Sequence, residues 1–240
     1  MKHNKGFSLV ELSIVILIIG LLIAGIMYAL NLVQQARVRT VINESNDFIN
    51  QLQAFNDKYG SFPGDFPNAG SVWGTNCASP ASGCNGNGDG YIKNNAGGVD
   101  ERFRAWQHLQ LAGMTNGNFT GVASVAGQGD LGVNVPIAAY SNSAGWSFDF
   151  TGGYSPPTGF GQYLEIGAFK ASAQPVNPVF DPATAYLIDS KIDDGNPNNG
   201  VVMADGSSGA SNCYSATTLT ATYNLSVTTK TCALRFMFKK

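Results

Sequence analysis

Gly6-Phe7-Ser8-Leu9-Val10-Glu11 stands directly ahead of a long apolar run, and these two features together decide the fold. From Leu12 to Val33 the run is relieved only by Ser13, Gly20, Gly25, Tyr28 and Asn31. As a helix, these roughly 22 residues rise about 1.5 Å each and cover about 33 Å, enough to cross a bilayer. Lys2 and Lys5 precede the run, so the positive-inside rule predicts a cytoplasmic N-terminus and a body on the far side of the membrane. A removable secretory signal would have an apolar core of roughly 7–15 residues and a small-residue cut site after it. Here no such site follows, and the helical pattern continues. Glu11 does not fit a plain anchor. A carboxylate inside an apolar segment costs on the order of 2.5–3.5 kcal/mol, so it calls for a cationic partner and a functional role.

Beyond Val33 the composition turns polar while the helical period persists. Val38, Val41, Ile42, Phe48, Ile49, Leu52 and Phe55 recur at spacings of three and four, and the signal stops at Gly60 and Pro63. One helix over about residues 8–58 is predicted, its second half offering an apolar stripe. A turn-rich exit over 59–69 leads into a Gly/Asn/Ser-rich loop, residues 70–98. Residues 101–112 read as a short amphipathic helix with Phe103, Trp106, Leu109 and Leu111 buried and Gly113 as its stop. His108 is expected at the surface or the edge of the core. Strand candidates follow at 146–150, 161–166, 184–189, 200–204 and 232–238, in short alternating or apolar runs broken by Gly, Pro and Asn.

Composition sets limits on function. Only 12% of the 240 residues are charged, and there are 29 glycines. That is unusual for a cytosolic enzyme and ordinary for a secreted, loop-rich β protein. A net charge of −2 with no basic stripe argues against nucleic acid as a partner. The four cysteines, Cys77, Cys84, Cys213 and Cys232, form no CxxC pair and the chain has two histidines. Disulfides in an oxidising compartment therefore fit better than zinc. No GxSxG, HExxH or glycine-rich phosphate loop is present, which makes an enzyme the weakest class.

The hexapeptide at 6–11 resembles the class III signal of type IV pilins and type II secretion pseudopilins. In that family a prepilin peptidase cuts after the Gly and N-methylates the new N-terminus, usually Phe. A Glu five residues into the mature chain pairs with the amino terminus of a neighbouring subunit. The resemblance implies cleavage after Gly6, methylation of Phe7 and an assembly contact at Glu11. It also has a physical logic, because cutting creates an amine in an apolar setting and Glu11 supplies the opposite charge. Many type IVa pilins carry Pro some twenty residues into the mature helix; Tyr28 stands there in this chain. The implied organisation is a leader at 1–6, a transmembrane and assembly helix at 7–34, its amphipathic continuation at 35–60 and a head at 61–240. The fold class is α+β and pilin-like, with the long helix packed on an antiparallel sheet bearing long loops.

The same resemblance implies an inner-membrane protein with its head in the periplasm, passing into a periplasmic or extracellular filament. Its partners would be the peptidase, other pilin or pseudopilin subunits and an inner-membrane assembly platform, with a separate ATPase supplying the work. The alternative is a minor or tip pilin that acts as an adhesion or binding module. Four cysteines allow three pairings. Sequence proximity favours Cys77 with Cys84 and Cys213 with Cys232, the second pair pinning a C-terminal loop as in many pilins.

Two loops are candidates for calcium. Asn85, Asn87 and Asp89 place side-chain oxygens at alternate positions before Gly90 and Ile92, like the first half of an EF-hand loop. The twelfth position is Ala96, so Asp100 or Glu101 would have to close the site. Asp189, Asp193 and Asp194 form a second acidic turn, at a location that suggests the calcium loop common in major pseudopilins. The competing reading of each is an ordinary polar turn with solvated charges.

Overall fold

The computed structural model describes residues 8–95, 99–154, 159–205, 212–216 and 218–239. The chain divides into two compact units, residues 1–39 and 40–240. In the first unit, helix α1 (Leu9–Tyr59) begins as an apolar rod. Its side chains from Leu9 to Val33 are at least half-exposed at nearly every large apolar position. Gly20, Gly25 and Tyr28 all stay within the helix. Among the described residues, α1 is the one helix long and apolar enough to cross a membrane.

In the second unit, α1 turns amphipathic as the spacing requires, with Val41, Leu52 and Phe55 fully buried. It ends at Gly60, whose φ of 71° a side chain would resist. After the short helix α2 (Ala69–Trp73) comes α3 (Glu101–Leu111), capped by Asp100, which accepts the Arg102 amide. Helix α3 closes with a Schellman pair: the Gly113 amide donates to Gln110 O and the Met114 amide to Leu109 O.

Four strands, β1 (Ala144–Tyr154), β2 (Gly159–Ala168), β3 (Val202–Asp205) and β4 (Ala233–Lys239), form an antiparallel sheet in the order β1-β2-β4-β3. The fold is therefore α+β, with the pilin-like layout of a long N-terminal helix and an antiparallel sheet. The pleat alternates sharply. Trp146, Phe148, Leu164, Ile166, Leu234 and Phe236 face one side and are buried. There Trp106 of α3 stacks on Phe148 at 4.4 Å between ring centroids, and Phe48 of α1 meets Trp106 at 4.9 Å. Glu44 adds a polar tie, accepting from the Ala139 amide at 3.1 Å and the Trp146 indole Nε1 at 3.2 Å.

Three expectations from the sequence need correction. Residues 184–189 are not a strand but the middle of helix α4 (Pro182–Ile192). Asp181 caps it by accepting the Thr184 amide, Pro182 presets the first turn, and Thr184, Ala185, Ile188 and Asp189 recur at helical spacing on the buried side. His108 is fully buried rather than at the core edge. Leu111, expected to be buried, is only partly so.

Both proximal disulfides form, with Cα separations of 5.7 Å for Cys77–Cys84 and 5.2 Å for Cys213–Cys232. Converting the second pair to Ser should lower stability by about 2–3 kcal/mol through the freed loop. A thermal melt would show the loss, and non-reducing peptide mapping should recover these two links. A crossed link between the pairs would contradict the assignment.

Candidate functional site

The N-terminal site is built on the first turn of α1. Gly6 and Phe7 lie outside the described residues. Ser8 and Glu11 form a reciprocal capping box: the Ser8 amide donates to Glu11 Oε2 at 2.8 Å, and the Glu11 amide donates to Ser8 Oγ at 3.2 Å. In the single chain, the Glu11 carboxylate thus satisfies the Ser8 amide at the start of its own helix. Both residues are exposed, so the carboxylate remains accessible to a partner. Ser8 was not foreseen, although the Ser-x-x-Glu spacing is a capping signal in the sequence.

The first calcium candidate is only partly assembled. Asn85 is turned away, its Oδ1 accepting the Gly70 amide at 2.7 Å. Asn87 Oδ1 accepts the Asp89 amide, a local turn, and its Nδ2 donates to Asp89 and Asn95. Asp89 instead converges with Asp65 and Glu101, one oxygen of each lying within 4.8 Å of the others. Glu101 was foreseen as a closing carboxylate. Asp65 was not, because it comes from the turn 20 or so residues upstream and only tertiary folding delivers it.

These carboxylates already organise the loop. Asp65 accepts from the Asp89 and Gly90 amides, and Glu101 from the Asn87 and Lys93 amides. Lys93 forms an ion pair with Asp89. Burial pushes the Glu101 carboxyl up to about 7 against the opposing pull of the Asn87 amide. It also raises Asp65. Burial would raise Asp89 as well, but its bonds from Lys93, Asn87 and the Tyr91 amide outweigh that and hold it below the usual range.

The second candidate does come together. Asp189, Asp193 and Asp194 each bring one oxygen within 4.8 Å of the others. Asp189 lies in the last turn of α4 on its buried side and accepts from the Tyr223 hydroxyl at 2.9 Å and the Gly195 amide at 3.0 Å. Asp193 receives the Val201 and Val202 amides, and Asp194 receives Asn196 and Asn199. Desolvation, reinforced by the neighbouring Asp194 and Asp193 charges, lifts Asp189 to about 7. An all-carboxylate donor set is hard-oxygen chemistry of the kind calcium takes. The loop is braced from across the Cys213–Cys232 bridge, because Asn196 and Asn198 donate to the carbonyls of Leu219, Ala216 and Thr218.

His108 is a structural group. Its Nδ1 accepts the Gly64 amide at 2.9 Å, which leaves the proton on Nε2, 3.1 Å from Cys84 O. Burial holds its pKa down to about 3, so it stays neutral.

Residues 1–27 match the family model described as the prokaryotic N-terminal methylation motif, the signature of type IV pilins and pseudopilins. No curated protein and no solved structure matched the chain. The motif and the apolar start of α1 fit membrane anchoring and processing by a prepilin peptidase.

Proposed function

We propose that this protein is a structural subunit of a type IV pilus or a type II secretion pseudopilus, cut after Gly6 and methylated on Phe7. It is anchored in the inner membrane by α1 with its head in the periplasm, and it enters the filament by lateral packing of that helix against other subunits. The observation that carries this reading is the methylation motif running straight into a helix whose apolar side chains, from Leu9 to Val33, have no cover of their own. Such a surface must be met by lipid or by like helices. An assembly platform and a separate ATPase extract it from the membrane. Its task is structural rather than catalytic. Mass spectrometry of sheared, purified filaments tests the reading. A methyl-Phe7 N-terminus in a component that dominates the mass is expected. The same N-terminus at trace level points instead to a tip subunit, and an absent or unprocessed chain would overturn the proposal.

The head also binds calcium on this reading, held by Asp189, Asp193 and Asp194, with Asp89, Asp65 and Glu101 as the second acidic group. The sign of the pH dependence is fixed by the two raised carboxyls. Glu101 and Asp189 keep their protons up to about pH 7 in the folded protein, whereas in an unfolded chain they release them near about pH 4. Between those limits the folded state binds more protons, so metal-free stability falls as pH rises through that window and levels off above it. Calcium needs both carboxylates ionised and should reverse the slope. Thermal melts of the full-length protein in detergent should show a calcium-dependent rise in Tm at about pH 8 that shrinks at about pH 5.5. Magnesium should substitute poorly because it holds its waters tightly. Superimposable curves in EDTA, calcium and magnesium would leave both groups as ordinary turns.

A further inference from the structure

The face of the sheet turned away from α1 and α3 is polar, yet it is buried. Ser147 and Asp149 of β1, Tyr163 and Glu165 of β2, Asp205 of β3 and Arg235 of β4 share that face by register. Ser147, Glu165 and Asp205 are at most 1% exposed. A cavity of about 420 Å³ opens there, lined among the described residues by Arg102, Asp149, Tyr163, Glu165, Gln174 and Arg235. This lies within the size range of small-ligand pockets.

Two acceptors on its wall are unused. Glu165 Oε2 takes Arg235 Nε at 3.3 Å and the carboxyl shares a hydrogen bond with Asp205, but Oε1 accepts from no donor among the described residues. Gln174 Nε2 is committed to Phe148 O at 3.1 Å and Asp149 Oδ2 at 3.2 Å, which fixes the amide and leaves its Oε1 unpaired. Both side chains are more than nine-tenths buried. The hydroxyl of Ser147, opposite Glu165 in the ladder, is also buried without a partner. Unmet buried acceptors are costly, and an explanation in terms of a missing donor is the first to seek.

Charge narrows the donor. The carboxyls of Asp100, Asp149, Glu165 and Asp205 surround only two guanidiniums, Arg102 and Arg235, an excess of two acids. An anion is therefore disfavoured. Calcium would want about six to eight oxygens, and the two unused acceptors are too few. A compact ammonium carries three donors and one positive charge.

We propose that this cavity is a binding site for a primary ammonium group, held by Glu165 Oε1 and Gln174 Oε1, from a lysine side chain of a partner or from a free amine. In the ligand-free protein one of these two excess charges is met by a proton. Burial raises the Glu165 carboxyl well above its usual range against the opposing pull of Arg235, and the neighbouring Asp205 and Asp149 charges raise it further. Ammonium entry therefore displaces that proton: one cation enters, one proton leaves, and Glu165 becomes a carboxylate paired with both the ligand and Arg235. Binding accordingly strengthens with pH until the amine itself begins to lose its charge, at about 10.

The test is isothermal titration of the full-length protein in non-ionic detergent with Nα-acetyl-lysine amide, with putrescine, and with Nα-acetyl-norleucine amide as the uncharged match. Saturable binding of an amine is expected, releasing about one proton at neutral pH as read from the buffer dependence of the heat, with no binding by the norleucine compound. Preference for acetyl-lysine amide identifies a polypeptide lysine as the source, and preference for putrescine identifies a free amine. Ala126→Phe, on the exposed rim of the cavity and outside the ion pairs, should weaken binding at least tenfold while leaving the ligand-free Tm in place. Glu165→Gln, if it folds, should bind without proton release and more weakly. No saturable signal from either amine, equal binding of the norleucine compound, or an Ala126→Phe protein that binds as wild type does would each overturn the proposal.

Discussion

Replacing Glu11 by Ala should leave the protein processed and inserted but reduce its incorporation into filaments at least tenfold. Membrane entry becomes easier, because a carboxylate is removed from an apolar segment. Assembly becomes harder, because the N-terminal amine of a neighbouring subunit is then buried without a counter-charge. Stripping one partner from a buried ion pair costs about 3–5 kcal/mol, and about 1.4 kcal/mol already corresponds to tenfold. Glu11 also caps its own helix through Ser8, and loss of that cap costs only about 1 kcal/mol. Ser8→Ala separates the two roles: it weakens the cap, keeps the carboxylate, and should assemble far better than Glu11→Ala. The assay is the ratio of filament to membrane-bound subunit in cells lacking the wild-type copy. Equal ratios for Glu11→Ala and wild type would remove Glu11 from the assembly contact.

Replacing Gly6 by a bulky residue such as Leu should block processing almost completely. A peptidase cutting between residues 6 and 7 must bring the backbone close to its reacting groups, and glycine alone offers no side chain to that approach. The uncut subunit keeps Lys2 and Lys5 ahead of the apolar run. It also lacks a free Phe7 amine, so it should remain in the membrane and fail to assemble even with Glu11 intact. Intact mass would show the leader retained and no methyl group. A Gly6→Leu protein that still starts at methyl-Phe7 would refute this cleavage site.

The two variants fail at different steps, which makes them informative together. Glu11→Ala should accumulate a mature, methylated subunit, whereas Gly6→Leu should accumulate a precursor. The head should be untouched in both, because among the described residues the buried apolar side chains begin at Val38, with Trp106, Phe148 and Leu52 among them.

Local features of the chain account for much of this protein. The apolar run, its charged flank, the helical period through Phe55 and the stop at Gly60 determined α1, because each depends on neighbours within a few residues. The stop of α3 at Gly113 and the alternation in β1 and β2 were legible for the same reason. Residues 184–189 misled because a short apolar run suits a strand or a buried helix face equally. The decision lay just upstream, in the Asp181 cap and Pro182, whose signal competes with a turn reading. Other features needed the third dimension. Asp65 reaches Asp89 and Glu101, and Tyr223 reaches Asp189, only after loops distant in sequence pack together. His108 is buried because Phe55, Trp73 and Cys84 close around it. The polar underside was visible as alternate residues in β1 and β2, but its burial was not. Alternation says which way a side chain points, and only the packing of distant segments decides whether water or protein meets it there.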